Sequence, residues 1–387
     1  MRNRYAFFGL VLFYCTGCGS SDNAGETKTL NYSIEIVDSL QIGYLGDLWI
    51  IDYDSVSEEF ISLTKRDQEI LIFDQYGEIK NSFEIPLEGP GSINGIFLIS
   101  MRDREIQIFD SSNGFFELSE RGEILKTTPI PYRYIYLNQS IADAFFPFGN
   151  EIAYLRPEYF DSLGYYGGMG GMVKGMYYKS FMEALDTLTK QTRPLMPFPK
   201  ESLYADGNCY FLPFPRVQRF GGQWYLSFLY ELKFFVYQEK DQELILEMAV
   251  DLEVGDAVKP LGVPFDEIQN YFELSKNIKP AGILGLYHTG KNIIVIYQKG
   301  TSEDVIVRNQ QEANPIDLNL IEETYAAIFN SKNELIQNDI LVPSGLIFSR
   351  VITKDGEILV KKNQDYFGSE EDQVVYYKLK LKEIPRR

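Results

Sequence analysis

Two segments of this chain repeat each other at a fixed distance, and that period constrains the fold more than any other feature. "FDQYGEIKNSFEIP" (73–86) and "LSERGEILKTTPIP" (118–131) align Gly77 with Gly122, Glu78 with Glu123, Ile79 with Ile124 and Ile85-Pro86 with Ile130-Pro131, always at an offset of 45 residues. Each segment reads as an apolar strand, a glycine turn, a second strand, and a proline that ends pairing. The glycines stand where a tight hairpin needs a positive φ. Repeats of this length are either helical solenoid units or propeller blades. The apolar residues here alternate with a β period, so the prediction is an all-β chain, a β-propeller with four short strands per blade.

The rest of the sequence divides accordingly. "DLWIID", "EFISL", "EILIFD" and "IKNSFEI" make one blade, and "GIFLIS", "EIQIFD", "GFFEL" and "EILKTTPI" the next. A third, with a long insertion, runs from "IADAFFPFG" to "ALDTLT". The fourth takes "NCYFLPF", "QWYLSFLY", "FFVYQ" and "ELILEMAV". "GILGLYHTG", "NIIVIYQ" and "DVIVRN" continue into a fifth. "IFSRVIT", "EILVKK" and "VVYYKLKL" supply three strands of a sixth. That blade lacks a fourth strand at the C-terminus, while "LNYSIEIVDS" (30–39) is a spare strand near the N-terminus. Closing the ring with it removes a sheet edge. Six blades are expected, with seven as the alternative, because "ETYAAIFN" and "ELIQNDILV" fit the blade pattern poorly.

The N-terminal end sets the address. Arg2 and Arg4 precede ten apolar residues, "YAFFGLVLFY", and then "CTGC". That apolar run suits a secretory signal and is too short to span a bilayer. A redox C-x-x-C would open a helix in a βαβ unit, and a zinc site would need further ligands. The only other cysteine is Cys209 and the only histidine is His288, so neither reading holds. Instead the stretch resembles a bacterial lipoprotein signal, which implies that Thr16-Gly17 precede a lipidated Cys18. Residues 1–17 are then a signal peptide, 18–29 ("GSSDNAGETK" within it) a flexible tether, and 30–387 the propeller domain. Acyl chains on Cys18 would anchor the protein to a membrane, the outer membrane of a bacterial cell envelope being the expected one. Cys209 is left without a disulfide partner and reads as a buried small hydrophobe.

The formal net charge is −18, and becomes −20 without residues 1–17, which carry two arginines and no acid. Such a balance disfavours nucleic acid, whose phosphates need clustered Lys and Arg. No cofactor motif is present: "GGMGGMV" fails the dinucleotide pattern because position 173 is Val. "DYDSVSEE" (52–59) lacks the glycine of a calcium loop and reads as a solvated blade loop. No G-x-S-x-G elbow accompanies His288, which reads as a strand-end residue. No catalytic or metal-binding residue is therefore assigned.

The lipoprotein signal, the "IFD…YGEI" units and "GPGSINGIF" (89–97) resemble the six-bladed propeller lipoproteins of Bacteroidetes, in a group known only as a domain of unknown function. The resemblance implies the architecture and carries over no functional residue. The function expected is a membrane-anchored extracytoplasmic propeller that binds a protein or a small polar ligand. The rival is an extracytoplasmic lyase or hydrolase with its site in the funnel. The candidate ligand-binding residues are Arg156, Arg216 and Arg350, each following or lying in a strand-like run, with Tyr165 and Tyr166 in "GYYGGMGGMVKGMYY" (164–178), a loop able to cover the central opening. Arginines in a propeller mouth would suit an anionic or carbohydrate-like ligand.

Overall fold

The computed structural model describes residues 31–64, 69–89, 91–93, 95–110, 112–131, 142–158, 168–368 and 372–384. The signal, the tether and Cys18, with Tyr165 and Tyr166, lie outside the described residues. The first strand, β1 (Asn31–Ile42), is the spare one. Blade one follows as β2 (Leu48–Asp54), β3 (Glu59–Thr64), β4 (Glu69–Asp74) and β5 (Ile79–Glu84). Blade two is β6 (Ile96–Arg102), β7 (Glu105–Asp110), β8 (Gly114–Leu118) and β9 (Ile124–Thr128). Blade three is β10 (Phe146–Phe148), β11 (Glu151–Leu155), β12 (Met182–Asp186) and β13 (Thr192–Leu195), with helix α1 (Gly168–Met176) between β11 and β12. Blade four is β14 (Arg216–Phe220), β15 (Gln223–Ser227), β16 (Lys233–Lys240) and β17 (Glu243–Asp251). Helix α2 (Ile268–Leu274) leads to β18 (Gly282–His288) and β19 (Asn292–Gln298). Helix α3 (Glu303–Gln311) then precedes β20 (Thr324–Asn330) and β21 (Leu335–Leu341), which complete blade five. Blade six is β22 (Leu346–Ile352), β23 (Ile358–Lys362) and β24 (Val374–Ile384).

All six sheets have four antiparallel strands, so the ring has six blades. β1 pairs along β24 from Asn31 opposite Ile384 to Ile42 opposite Val374, closing the ring as expected. Its Tyr32, Ile34, Leu40 and Ile42 are buried, and the Tyr32 N–H donates to Gln337 Oε1 of blade five at 2.8 Å.

The repeated glycines do one job twice. Gly77 and Gly122 have φ of 84° and 78° and turn the last two strands of their blades. A Cβ on Gly77 would meet the Gln41 carbonyl, and one on Gly122 the Phe83 ring. Each turn thus packs on the preceding blade, which is why the residue recurs with the period.

The core lies between blades. Phe109 and Phe115 of blade two stack at 4.4 Å, and Tyr154 of blade three meets Phe115 edge-on at 4.8 Å. Trp224 of blade four, fully buried, sits edge-on to Phe146 of blade three at 4.8 Å. Such pairs add about 0.5–1.5 kcal/mol beyond their burial. Cys209 is buried and free.

Three readings are corrected. "NCYFLPF" is not the first strand of blade four: Cys209 makes only an isolated bridge to Val263, and the strand begins at Arg216, past Pro213 and Pro215, which cannot donate to a ladder. "DVIVRN" is helix α3, with Glu303 and Asp304 in its first turn and Ile306 as its buried side chain. "ETYAAIFN" and "ELIQNDILV" contain β20 and β21; the small Ala326 and Ala327 weaken the strand signal, yet both are fully buried, packed with residues of blades six and four respectively. Among the described residues no helix is long and apolar enough to cross a membrane.

Candidate functional site

Each blade runs as a meander from the axis outward. β2 lies against β6 and β22, and β18 against β22, so the first strand of each of these blades faces the centre. Connections from first to second strand therefore gather on one face. Connections from second to third strand, and from blade to blade, gather on the other, which carries the inserted helices.

On the first face the axis opens into a cavity of about 580 Å³. Its wall comes from the first-to-second-strand turns, including Ser55 and Val56 of blade one, Asp103 of blade two, His288–Gly290 of blade five and Thr353 and Lys354 of blade six. Arg350 of β22 forms the floor. Its Nε donates to Ile51 O at 2.9 Å, its Nη2 to Ile99 O at 3.0 Å, and its Nη1 to Asp143 Oδ1 at 3.0 Å. Asp52 Oδ2 lies 3.3 Å from Nη2. Asp143 also takes Arg102 Nη2 at 3.3 Å, and Asp52 accepts the Met101 N–H at 2.9 Å. One side chain of blade six is thereby tied to blades one and two and to the approach to blade three.

The strand irregularities explain this convergence. β2 shifts register between Ile50 and Asp52, and β22 between Phe348 and Ile352. A bulge re-aims side chains, here at the positions of Asp52 and Arg350. Burial pushes the Asp52 carboxyl up to about 6, against the pull of Arg350 and with a further push from Asp143. At the rim, the His288 ring stacks on Phe220 at 5.2 Å, and Nδ1 accepts the Gly290 N–H at 3.1 Å. Burial lowers its pKa, so the imidazole is neutral at pH 7 with its proton on Nε2. Arg219 is held by Glu239 at 2.9 Å and lies over the Trp224 ring at 5.0 Å. Asp54 accepts the Val56 N–H at 3.1 Å and the Arg104 N–H at 3.0 Å, so the "DYDSVSEE" stretch is a side-chain-capped turn.

Four carboxylates (Asp52, Asp54, Asp103, Asp143) and four cations (Arg102, Arg219, Arg350, Lys354) line this mouth. Its charge is balanced, unlike the arginine-rich funnel expected from the sequence. Among the described residues no cluster of His, Cys, Asp and Glu could hold a metal ion.

Behind the floor lies a chamber of about 30 Å³, lined by Arg216, Gln218, Tyr225, Ser227, Leu284, Gly285, Leu286, Phe348, Ser349 and Arg350. The structure thus brings Arg216 and Arg350 together. Arg216 Nη1 donates to Ile283 O, and burial lowers its pKa to about 10. Arg156 lines neither space. Its Nη2 meets Glu158 Oε1 at 2.7 Å and its Nε donates to Ser180 O at 2.7 Å, inside the insertion of blade three. The described part of the 164–178 stretch is helix α1, not a loop. Its Val173 and Met176 are buried, Gly170 packs on the Phe265 carbonyl, and it stands on the face opposite the mouth. Tyr177 is a core residue, donating to Phe211 O at 2.8 Å.

Sequence reasoning missed Asp52, Asp143 and Arg102. The available signal was weak: "IIDYD" puts a charge inside an apolar strand run, which costs free energy unless a partner faces it.

The fold and the mouth define a closed six-bladed β-propeller with a polar axial cavity on the face of the first turns. Solved structures of the same fold include a member of the DUF4221 family from Bacteroides vulgatus ATCC 8482, at 12% identity and TM-score 0.64, covering 92% of this chain and 100% of that one. Another is a Bacteroides fragilis NCTC 9343 protein named "Putative exported protein", at 11% identity and TM-score 0.53, covering 91% and 95%. The likeness is one of fold, and it falls on the group that the sequence resembles. No family model matches the chain. No curated protein matches it either.

Proposed function

We propose that this protein is an extracytoplasmic binding propeller, tethered to a bacterial envelope membrane through lipid on Cys18, whose mouth takes a small neutral or zwitterionic polar ligand. The observation that carries this reading is the mouth itself: an open space of about 580 Å³ over a floor whose charges are already matched. A rigid, balanced floor disfavours a strongly charged ligand. Asp103 and the His288–Phe220 plane supply polar contacts and one flat surface. The export ascribed to the B. fragilis fold neighbour agrees with the signal read at residues 1–17. Scaffolding of a partner protein is the broader form of the same reading.

The test is thermal stabilisation of the mature protein by a panel of sugars, amino acids, short peptides and organic acids. A hit is expected to vanish in Asp103→Ala and His288→Ala and to survive Lys276→Ala on the opposite face. Stabilisation by organic acids alone, or hits indifferent to both mouth variants, would overturn the proposal. For the anchor, Cys18→Ser is expected to move the protein from the membrane to the soluble fraction; a membrane-bound variant would refute lipidation there. The enzyme alternative rests on Asp52, a carboxyl held near 6 beside Asp143. Turnover of a panel compound that is lost in Asp52→Asn would reverse the order of the two readings.

A further inference from the structure

The chamber behind Arg350 is electrostatically unlike the mouth. Two guanidiniums, Arg216 and Arg350, line it, and among the described residues no carboxylate does. Arg350 has its counter-charges on the mouth side, in Asp52 and Asp143. Arg216 forms no ion pair with any described carboxylate; a backbone carbonyl, Ile283 O, takes its Nη1. A buried cation without a counter-charge is costly. The second observation is Gln218, two residues along β14, whose Oε1 is buried with no hydrogen-bond partner. Buried polar atoms are rarely left so in a folded protein. Gln218 also lines the chamber, so its side-chain amide offers an NH₂ donor beside Arg216. The volume of about 30 Å³ admits one or two water-sized species and excludes any larger organic acid.

We propose that this chamber is a binding site for one small monovalent anion of halide size, held by the Arg216 guanidinium and the Gln218 amide NH₂. The anion supplies the negative charge that the axis lacks and plugs the ring behind the Arg350 floor. The chamber meets the mouth at Gln218 and Arg350, which line both spaces, but the anion site does not rest on the ligand proposed for the mouth.

The probe is bromide, used on the chain from residue 18 carrying Cys18→Ser. Crystals grown in sodium bromide are expected to show an anomalous peak in the chamber beside Arg216. In solution the melting temperature is expected to rise with sodium chloride or bromide, and to level off, relative to sodium gluconate at equal ionic strength, because gluconate is too large to enter. Arg216→Gln is expected to remove the halide effect. If that variant does not fold, Gln218→Glu serves instead: it places a carboxylate against Arg216, so the protein should melt at the halide-saturated temperature in either salt. No peak in the chamber, a chamber holding only water, or equal melting in halide and gluconate would each overturn the site, as would a halide effect that persists in Gln218→Glu.

Discussion

Replacing Arg350 by Leu tests whether the axis is held by charge. The substitution removes donors to Ile51 O, Ile99 O and Asp143, together with the pair to Asp52. Leucine fills part of the volume but leaves two carboxylates facing each other. Deleting one partner of a buried pair costs about 3–5 kcal/mol. Over residues 31–384, an unfolding entropy of about 2.1 cal/mol/K per residue sums to roughly 0.7 kcal/mol/K, so the melting temperature should fall by about 4–7 °C at pH 8. The loss should also depend on pH. In the native protein the Asp52 carboxyl is raised to about 6, above an unfolded value of about 3.9, so the folded state holds that proton more tightly. The stability this gives is full below about pH 4 and lost as pH rises through about 6. Without Arg350 the Asp52 value climbs further, and the charged form becomes costlier. The gap between native and variant should therefore widen from pH 5 to pH 8, measured by scanning calorimetry. Adding Asp52→Asn to the variant should recover part of the loss at pH 8. A drop under about 1 °C, a gap equal at both pH values, or no recovery in the double variant would refute the reasoning.

Deleting residues 31–42 strips four buried side chains, each contributing about 1.5–3 kcal/mol, and the whole β1–β24 ladder. That matches a typical net stability of about 5–15 kcal/mol, so the near-ultraviolet dichroism and the cooperative melt should both be lost; an unchanged transition would show that the ring closes otherwise. Gly170→Ala drives a methyl into the Phe265 carbonyl and should cost about 1–3 kcal/mol in denaturant titration, whereas a neutral result would mean that α1 is not docked there. Cys209, buried and with its thiol pKa raised by burial, should resist a thiol reagent in the native state and react only in guanidinium; rapid native labelling would contradict its place in the core.

What the sequence determined by itself was the local grammar and its period. Strand, glycine turn, strand and proline at an offset of 45 residues specify a blade, because a turn that needs φ > 0 and a two-residue alternation are properties of a short segment. The count of strands then forced the N-terminal segment into the last blade. Local grammar failed where context outweighed it. The paired alanines of β20 make a strand only because neighbouring blades bury them, and "DVIVRN" has a strand-like run of β-branched residues yet leaves Val305 exposed on a helix. The site was the least legible part. Arg216 and Arg350 were visible as arginines in strand-like runs, but a strand-like run does not reveal whether its arginine already has a partner. Arg156 met Glu158 two residues away; Arg350 met Asp52 and Asp143, which are 298 and 207 positions distant in sequence. Only closure of the ring brings those positions to one axis, and only the register shifts in β2 and β22 turn their side chains inward. The charges that face one another across a propeller's centre are set by tertiary structure, because no two of its inner strands are neighbours in the chain.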